Sequence, residues 1–127
     1  PDSYLGEGLT LQRSLADYLH ELLAAKGLKR ADVYRASGLN STVVYDAFSG
    51  KSRLGRDNAL MVAFGLGCSL RETQRLLKLA GAAELYPKVR RDAIIIWCID
   101  RGMSREACDD ELWRFGEKTL LGTCPLQ

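Results

Sequence analysis

The amino-acid sequence predicts an all-α protein, in which a bundle of five helices is extended by a C-terminal helical hairpin. Apolar residues recur at spacings of three and four, glycines divide the chain into segments of helix length, and no stretch has the alternating pattern of a strand. The 127 residues, 46% of them apolar, are enough for one compact domain with a helical extension.

The first predicted helix runs from Leu11 to Lys26. Thr10 is a suitable N-cap, and Gly27 follows the last residue, where a glycine commonly ends a helix. Leucines at positions 11, 15, 19, 22 and 23 fall on one face, so this helix is expected to pack against a core.

Two short helices are predicted next, Arg30–Ser37 and a second that begins after Asn40 or Ser41 and ends at Phe48. Gly38 stands between them, where a tight turn needs a positive φ that would strain any other residue. Two short helices joined by such a turn are typical of a helix-turn-helix.

The spacing within this helix-turn-helix predicts which of its side chains face the core. Val33, Val44 and Ala47 are expected to be buried and to hold the second helix across the first. Polar residues of the second helix are then expected on its outward face, where they could enter the major groove of DNA. They are Ser41, Thr42, Tyr45 and Asp46.

Four further helices are predicted, over residues 56–66, 70–81, 88–101 and 104–116. The helix near residue 70 opens with Ser69-Leu70-Arg71-Glu72, the pattern of a capping box in which the serine and glutamate side chains accept each other's backbone amides. The last ten residues are expected to form a loose tail.

A weak internal repeat relates residues 56–85 to residues 91–120. Seven of the thirty aligned positions are identical at this offset of 35, among them the Arg-Asp pairs at Arg56-Asp57 and Arg91-Asp92. The repeat indicates two helical hairpins of one design that stack on each other, although recurring helix caps and stops would produce the same pattern.

Charge is distributed unevenly along the chain. Residues 11–60 carry eight Lys and Arg against five Asp and Glu, a net charge of +3, whereas residues 87–127 carry seven of each. This basic excess is compatible with a nucleic-acid partner. The longest apolar run, Ala93–Ile99, is too short to cross a bilayer, and no secretory signal opens the chain, so a cytoplasmic location is expected.

The sequence does not favour catalytic or metal chemistry. The cysteines at 68, 98, 108 and 124 form no Cys-x-x-Cys pair and His20 is the only histidine, so no metal and no cofactor are expected. His20 is expected at the surface or half-buried, and the run Asp109-Asp110-Glu111 on a solvated helix face. The pair Arg90-Arg91 is expected at a solvated helix start, with a second basic contact as the alternative. No phosphate loop or nucleophile motif is present, and the chain is not expected to be an enzyme.

Residues 15–77 resemble the lambda-repressor-like (XRE) helix-turn-helix family. The resemblance rests on a Gly-Leu-x-x-x-x-Val pattern at Gly27–Val33, on Gly50-Lys51 after the second short helix, and on Leu66-Gly67-Cys68-Ser69 before the fifth helix. It implies a lambda-repressor-like DNA-binding domain of five helices over residues 11–85. The helical hairpin of residues 86–120 would pack on this domain or form a dimer.

The resemblance also implies a function, that of a sequence-specific transcriptional regulator that binds double-stranded DNA. Contacts to phosphates would supply most of the affinity, and contacts to base edges would supply the choice of sequence. By this resemblance the base-reading residues are Ser41, Thr42, Tyr45 and Asp46, and the phosphate-binding residues are Arg30, Lys51, Arg53 and Arg56.

Two questions stay open at the level of sequence. The apolar stretch Ile94–Trp97, with further aromatic residues near Trp113, is expected to pack in the core or to form the seam of a homodimer. The helix-turn-helix is alternatively a protein-interaction adaptor, since Tyr34, Tyr45 and Phe48 on its surface would suit a protein partner.

Overall fold

The computed structural model describes residues 15–125, and this part of the chain contains seven helices and no strand. The all-α prediction is therefore confirmed. The predicted start of the first helix at Leu11, with Thr10 as its cap, lies outside the described residues. The helices α1 to α7 span residues 15–25, Arg30–Ser37, Ser41–Phe48, Arg56–Gly65, Leu70–Leu79, Arg90–Asp100 and Arg105–Arg114. None of these helices is long and apolar enough to cross a membrane.

Helix α4 lies at the centre of the molecule. Its five consecutive residues Ala59–Ala63 are buried, and it packs against α2, α5 and α7. The crossing with α2 is close, since a Cβ built on Gly65 would lie only 2.6 Å from the backbone oxygen of Val33. Glycine is thus required at position 65 because the backbones of α2 and α4 approach each other there.

The two C-terminal hairpins, α4–α5 and α6–α7, follow the same plan at an offset of 35 residues. After α4, the amide of Cys68 donates to the carbonyl of Ala63 at 2.9 Å, and after α6 the amide of Met103 donates to Cys98 at 3.1 Å. Ser69 and Ser104 then cap α5 and α7, each through its side chain. The predicted capping box of Ser69 and Glu72 is present.

The Arg-Asp pairs at the starts of α4 and α6 bind each other reciprocally. Arg56 donates two hydrogen bonds to Asp92, at 3.1 and 2.8 Å, and Arg91 donates two to Asp57, at 3.0 and 3.1 Å. Each arginine also reaches the loop after its own hairpin. Arg56 donates to the carbonyls of residues 83 and 84, and Arg91 donates to those of residues 118 and 119.

A side chain near the middle of the second helix holds that loop in both hairpins. The amide of Leu85 donates to Gln74 at 2.7 Å, and the amide of Leu120, 35 residues later, donates to Asp109 at 2.6 Å. Recurring caps alone would not reproduce these long-range bonds. The repeat in the sequence therefore corresponds to a repeat in the tertiary contacts.

Three expectations from the sequence are wrong here. Asp109 is 7% exposed and does not lie on a solvated face, because it binds Arg105 and the backbone of the last loop. Arg91 is only partly exposed, because Asp57 holds its guanidinium. Residues 118–125 are not uniformly loose, since Thr119 and Leu120 are buried.

Candidate functional site

The turn between α2 and α3 has the geometry that the helix-turn-helix pattern predicts. Gly38 ends α2 with a φ of 84°, in the left-handed region. The side chain of Asn40 then caps α3 by accepting from the amide of Val43 at 3.0 Å. Inside the turn, the Ser37 hydroxyl accepts from the amide of Leu39 at 3.1 Å, so a second side chain stabilises the change of direction.

The inner side of α3 is fully seated in the core. Val33, Val44 and Ala47 are at most 1% exposed, which confirms the prediction that they are buried. Phe48 is also 1% exposed and so does not lie on the motif surface, contrary to what the adaptor hypothesis assumed. His20 of α1 packs edge-on against the Phe48 ring, and its Nε2 donates to the Phe48 carbonyl at 2.8 Å, which ties the end of α3 to α1.

The outer side of α3 is left uncovered by the rest of the described chain. Thr42 and Tyr45 are exposed, and Ser41 and Asp46 are partly exposed. All four predicted base-reading residues therefore share one accessible side of α3. This side offers two hydroxyls, a phenol and a carboxylate, which can donate and accept hydrogen bonds.

A cluster of two tyrosines and two arginines, Arg30, Tyr34, Arg35 and Tyr45, joins the outer faces of α2 and α3. The Tyr34 and Tyr45 rings meet edge-on with centres 5.9 Å apart. The guanidinium of Arg30 lies 5.0 Å from the centre of the Tyr45 ring, and that of Arg35 lies 5.8 Å from the Tyr34 ring. Cation–π contact at exposed rings contributes about 0.5–1 kcal/mol, enough to orient Arg30 towards α3.

The loop after α3 adds two exposed cations, Lys51 and Arg53. The amides of Lys51 and Ser52 both donate to the carbonyl of Asp46, so this loop folds back on the C-terminal end of α3. Between residues 29 and 53 the chain has five Lys and Arg against two Asp and Glu, a net charge of +3. The segment of chain that carries α3 and its flanking loop therefore has a net positive charge.

Arg56 departs from its expected role as a phosphate ligand. Its guanidinium is bound by both oxygens of Asp92 and by two backbone carbonyls, so the donors that would hold a phosphate are already in use. The repeated Arg-Asp pair was the one signal in the sequence that Arg56 has a partner within the chain. The repeat did not show that Arg56 binds Asp92 and that Arg91 binds Asp57.

Sequence reasoning missed Arg105, a residue of α7 that supports the turn. Its guanidinium lies against Gly38, where an added Cβ would be 2.8 Å from its Nε. The side chain is 9% exposed and donates to Asp109 at 2.6 Å. Gly38 is thus needed both for its φ and for the space that Arg105 fills. The C-terminal hairpin therefore packs directly on the helix-turn-helix.

Three of the four cysteines, Cys68, Cys98 and Cys108, are buried, and Cys124 is exposed. Burial raises the pKa of the Cys68 thiol to about 12, and burial also raises the pKa values of Cys98 and Cys108. Such thiols stay protonated near neutral pH and are weak nucleophiles. Residues 15–125 contain no group of three or more His, Cys, Asp or Glu side chains placed to hold a metal ion.

Comparison with protein-family models, with curated proteins and with solved structures found no match to this chain.

Proposed function

We propose that this protein is a sequence-specific DNA-binding transcriptional regulator of the lambda-repressor-like (XRE) helix-turn-helix type. The observation that carries the proposal is the asymmetry of α3. Its inner side is buried through Val44, Ala47 and Phe48, whereas its outer polar side is accessible. Arg30 lies against this outer side, and Lys51 and Arg53 are exposed in the loop that follows. A rigid helix with an accessible polar side suits insertion into the major groove, which is wide enough to admit a helix.

In this proposal α3 lies in the groove and α2 crosses the DNA backbone. Thr42, Tyr45 and Ser41 would contact base edges, and Asp46 would accept from the amino group of a cytosine. Arg30, Lys51 and Arg53 would bind phosphates on either side of the groove. Arg56 is left out of the phosphate-binding set. No catalytic activity and no cofactor are proposed, and a cytoplasmic location and a possible homodimer remain expectations.

The first experiment selects bound sequences from a pool of random DNA duplexes and then measures affinity for the selected duplex across a salt series. We expect a defined site to be recovered. Replacing both Lys51 and Arg53 by Ala should weaken binding about tenfold or more and reduce the salt slope by about two, because two phosphate contacts are lost.

The matched control replaces two exposed cations at the other end of the chain, Lys88 and Arg101, by Ala. This variant should keep the affinity and salt slope of the wild type. If the folded protein binds no duplex even at low salt, or if both double variants behave alike, DNA binding by α3 is refuted.

The cluster of Arg30, Tyr34, Arg35 and Tyr45 favours a second candidate function, that of a protein-interaction adaptor. Tyrosine and arginine are enriched in protein interfaces, and here an exposed Tyr45 and a partly exposed Tyr34 lie with two arginines on the outer faces of two helices. This alternative predicts that a folded protein shows no salt-dependent retention on duplex DNA. The same salt series therefore separates the two functions.

A further inference from the structure

A second surface, remote in sequence from α3, lies between α6 and α7. Here the two helices enclose an open groove of about 450 Å³. Its apolar floor contains Ala93, Ile94, Trp97 and Phe115, of which Trp97 is 43% exposed and Phe115 is 41% exposed. Two large aromatic side chains, adjacent and nearly half exposed, are a feature of binding surfaces on soluble proteins.

The internal repeat allows the residues of this groove to be compared with their equivalents on α4, which a neighbouring helix covers. Ile94 and Trp97 correspond, 35 residues earlier, to Ala59 and Val62 of α4, which are both fully buried. Val62 lies one helical turn before Gly65, the point at which α2 crosses α4. The equivalent side of α4 is thus covered by a helix, whereas within residues 15–125 that side of α6 leaves Trp97 exposed and Ile94 only partly covered.

The rim of the groove is basic. Among the described residues, the charged side chains that line it are those of Arg90 and Arg114. A third arginine, Arg101, lies with its guanidinium 3.9 Å from the centre of the Trp97 ring and forms no ion pair within residues 15–125. Glu117 and Glu111 pair with Arg90 and Arg114 at the rim, at 3.7 and 2.7 Å, so the three arginines and two glutamates leave a net charge of +1. The side chains of Arg90 and Arg114 are 66% and 64% exposed, so a carboxylate of a partner can still reach them.

We propose that the groove between α6 and α7 binds an acidic amphipathic helix of a partner protein. The apolar face of that helix would cover Trp97 and Phe115, in the way that α2 covers the equivalent side of α4. Its carboxylates would pair with Arg90, Arg101 and Arg114. Helix-in-groove recognition of this kind uses apolar anchors at helical spacing together with complementary charge.

A second copy of this chain fits the groove less well. Two-fold pairing brings the same patch of both copies together, so a rim with a net positive charge would meet an identical rim of the same charge. Like charges at an interface oppose association. The charge of the rim therefore favours an acidic partner over self-pairing, independently of whether α3 binds DNA.

The test uses the full chain and a displayed library of 14-residue peptides that is randomised at every position. We expect the selected peptides to carry Leu or an aromatic residue at helical spacing, with Asp or Glu beside it. A selected peptide is then titrated against the protein by fluorescence anisotropy. Affinity should fall at least tenfold for Trp97→Ser and for Arg101→Glu, and it should fall with rising salt.

The matched control is Trp113→Ser, which removes an equally exposed tryptophan, 47% against 43%, that does not line the groove. This variant should bind the selected peptide as the wild type does, and circular dichroism should show all three variants folded. Duplex DNA retention, measured in parallel, should be unchanged by Trp97→Ser, so a failure of this proposal is distinct from a failure of DNA binding.

Three results would overturn the proposal. The library could yield no enriched peptide, or peptides that are neutral or basic, or peptides that bind Trp97→Ser as tightly as the wild type. Sedimentation equilibrium supplies a further check, since a dimer that Trp97→Ser abolishes would assign the groove to a second copy.

Discussion

The hairpins α4–α5 and α6–α7 share a frame but differ in what their outer faces contact. Both have crossed Arg-Asp bonds, a serine cap and a side chain that holds the following loop. In α4 the residues Ala59–Ala63 are all buried, whereas α6 has Trp97 exposed and Ile94 and Ile96 only partly covered. The two hairpins therefore share the contacts that hold their helices and loops, while the residues on the outer sides of α4 and α6 differ in burial.

The largest difference between the hairpins is expected at the two equivalent aspartates. The Asp92 side chain is 6% exposed and that of Asp57 is 26% exposed, although each accepts two bonds from an arginine. Asp92→Ala leaves the Arg56 charge partly buried and the Tyr86 amide unpaired, and should cost about 3 kcal/mol. Asp57→Ala leaves Arg91, whose side chain is only 17% exposed, without its carboxylate, but water reaches the Asp57 site, so this variant should cost less, about 1.5 kcal/mol.

Urea denaturation of the two aspartate variants measures both losses as changes in the free energy of unfolding. Equal losses would mean that burial does not distinguish the two ion pairs. The Asn variants at both positions keep the shape of the side chain and separate the effect of charge from that of packing.

A smaller loss is expected at the helix crossing that only the first hairpin makes. Gly65→Ala places a methyl group 2.6 Å from the Val33 carbonyl and should cost about 2 kcal/mol, even though alanine favours helix. Asp100→Ala, at the equivalent exposed position of α6, should stay within about 0.5 kcal/mol of the wild type. Thermal unfolding measures both; a neutral Gly65→Ala would show that α2 can move away from α4 at no cost.

The smallest expected effect is a pH dependence confined to the first hairpin. The hydrogen bond from the Ser69 amide, aided by Lys26, holds the pKa of Glu72 below its usual value, whereas the equivalent residue Ala107 cannot titrate. A lowered pKa in the folded state stabilises the protein above the unfolded pKa of about 4.3, and this contribution is lost as the pH falls through the folded pKa.

Glu72→Gln retains a capping side chain but removes this charge. The variant should be less stable than the wild type by about 0.5 kcal/mol at pH 7, and the difference should shrink as the pH falls below the unfolded pKa of about 4.3. Ala107→Gln serves as the control, since its effect on the free energy of unfolding should not vary with pH. A Glu72→Gln effect that is constant from pH 7 to pH 3 would contradict the assignment.

Much of the candidate site could be predicted from the sequence because its signals are local. Gly38 and Asn40 mark the turn and cap within three residues, and the spacing of Val44 and Ala47 defines the buried side of α3. Once the buried side is known, helical geometry predicts the opposite side as well. The accessibility of Thr42 and Tyr45 follows from the same pattern.

Other features could not be predicted because they depend on residues that are distant in the chain. Arg105 reaches Gly38 across 67 positions, and Phe48 is buried partly because His20 packs on it. Neither contact leaves a periodic signal in the sequence. From the sequence alone, a single arginine or a run of acidic residues is predicted to lie at the surface, because the helix that packs against it is not known.

The sequence by itself determined the helices, the caps of α3, α5 and α7 and the polar side of α3, since these depend on residues within one or two helical turns. Only the tertiary structure decided that Arg56 binds Asp92 and not an external phosphate, and that α4 is buried while Trp97 of α6 is exposed. The physical reason is that the free energy of an ionic or apolar contact depends on which groups the fold brings within a few ångströms of each other. Arg56 and Asp92 lie 36 residues apart in the chain, so no local pattern shows that they meet.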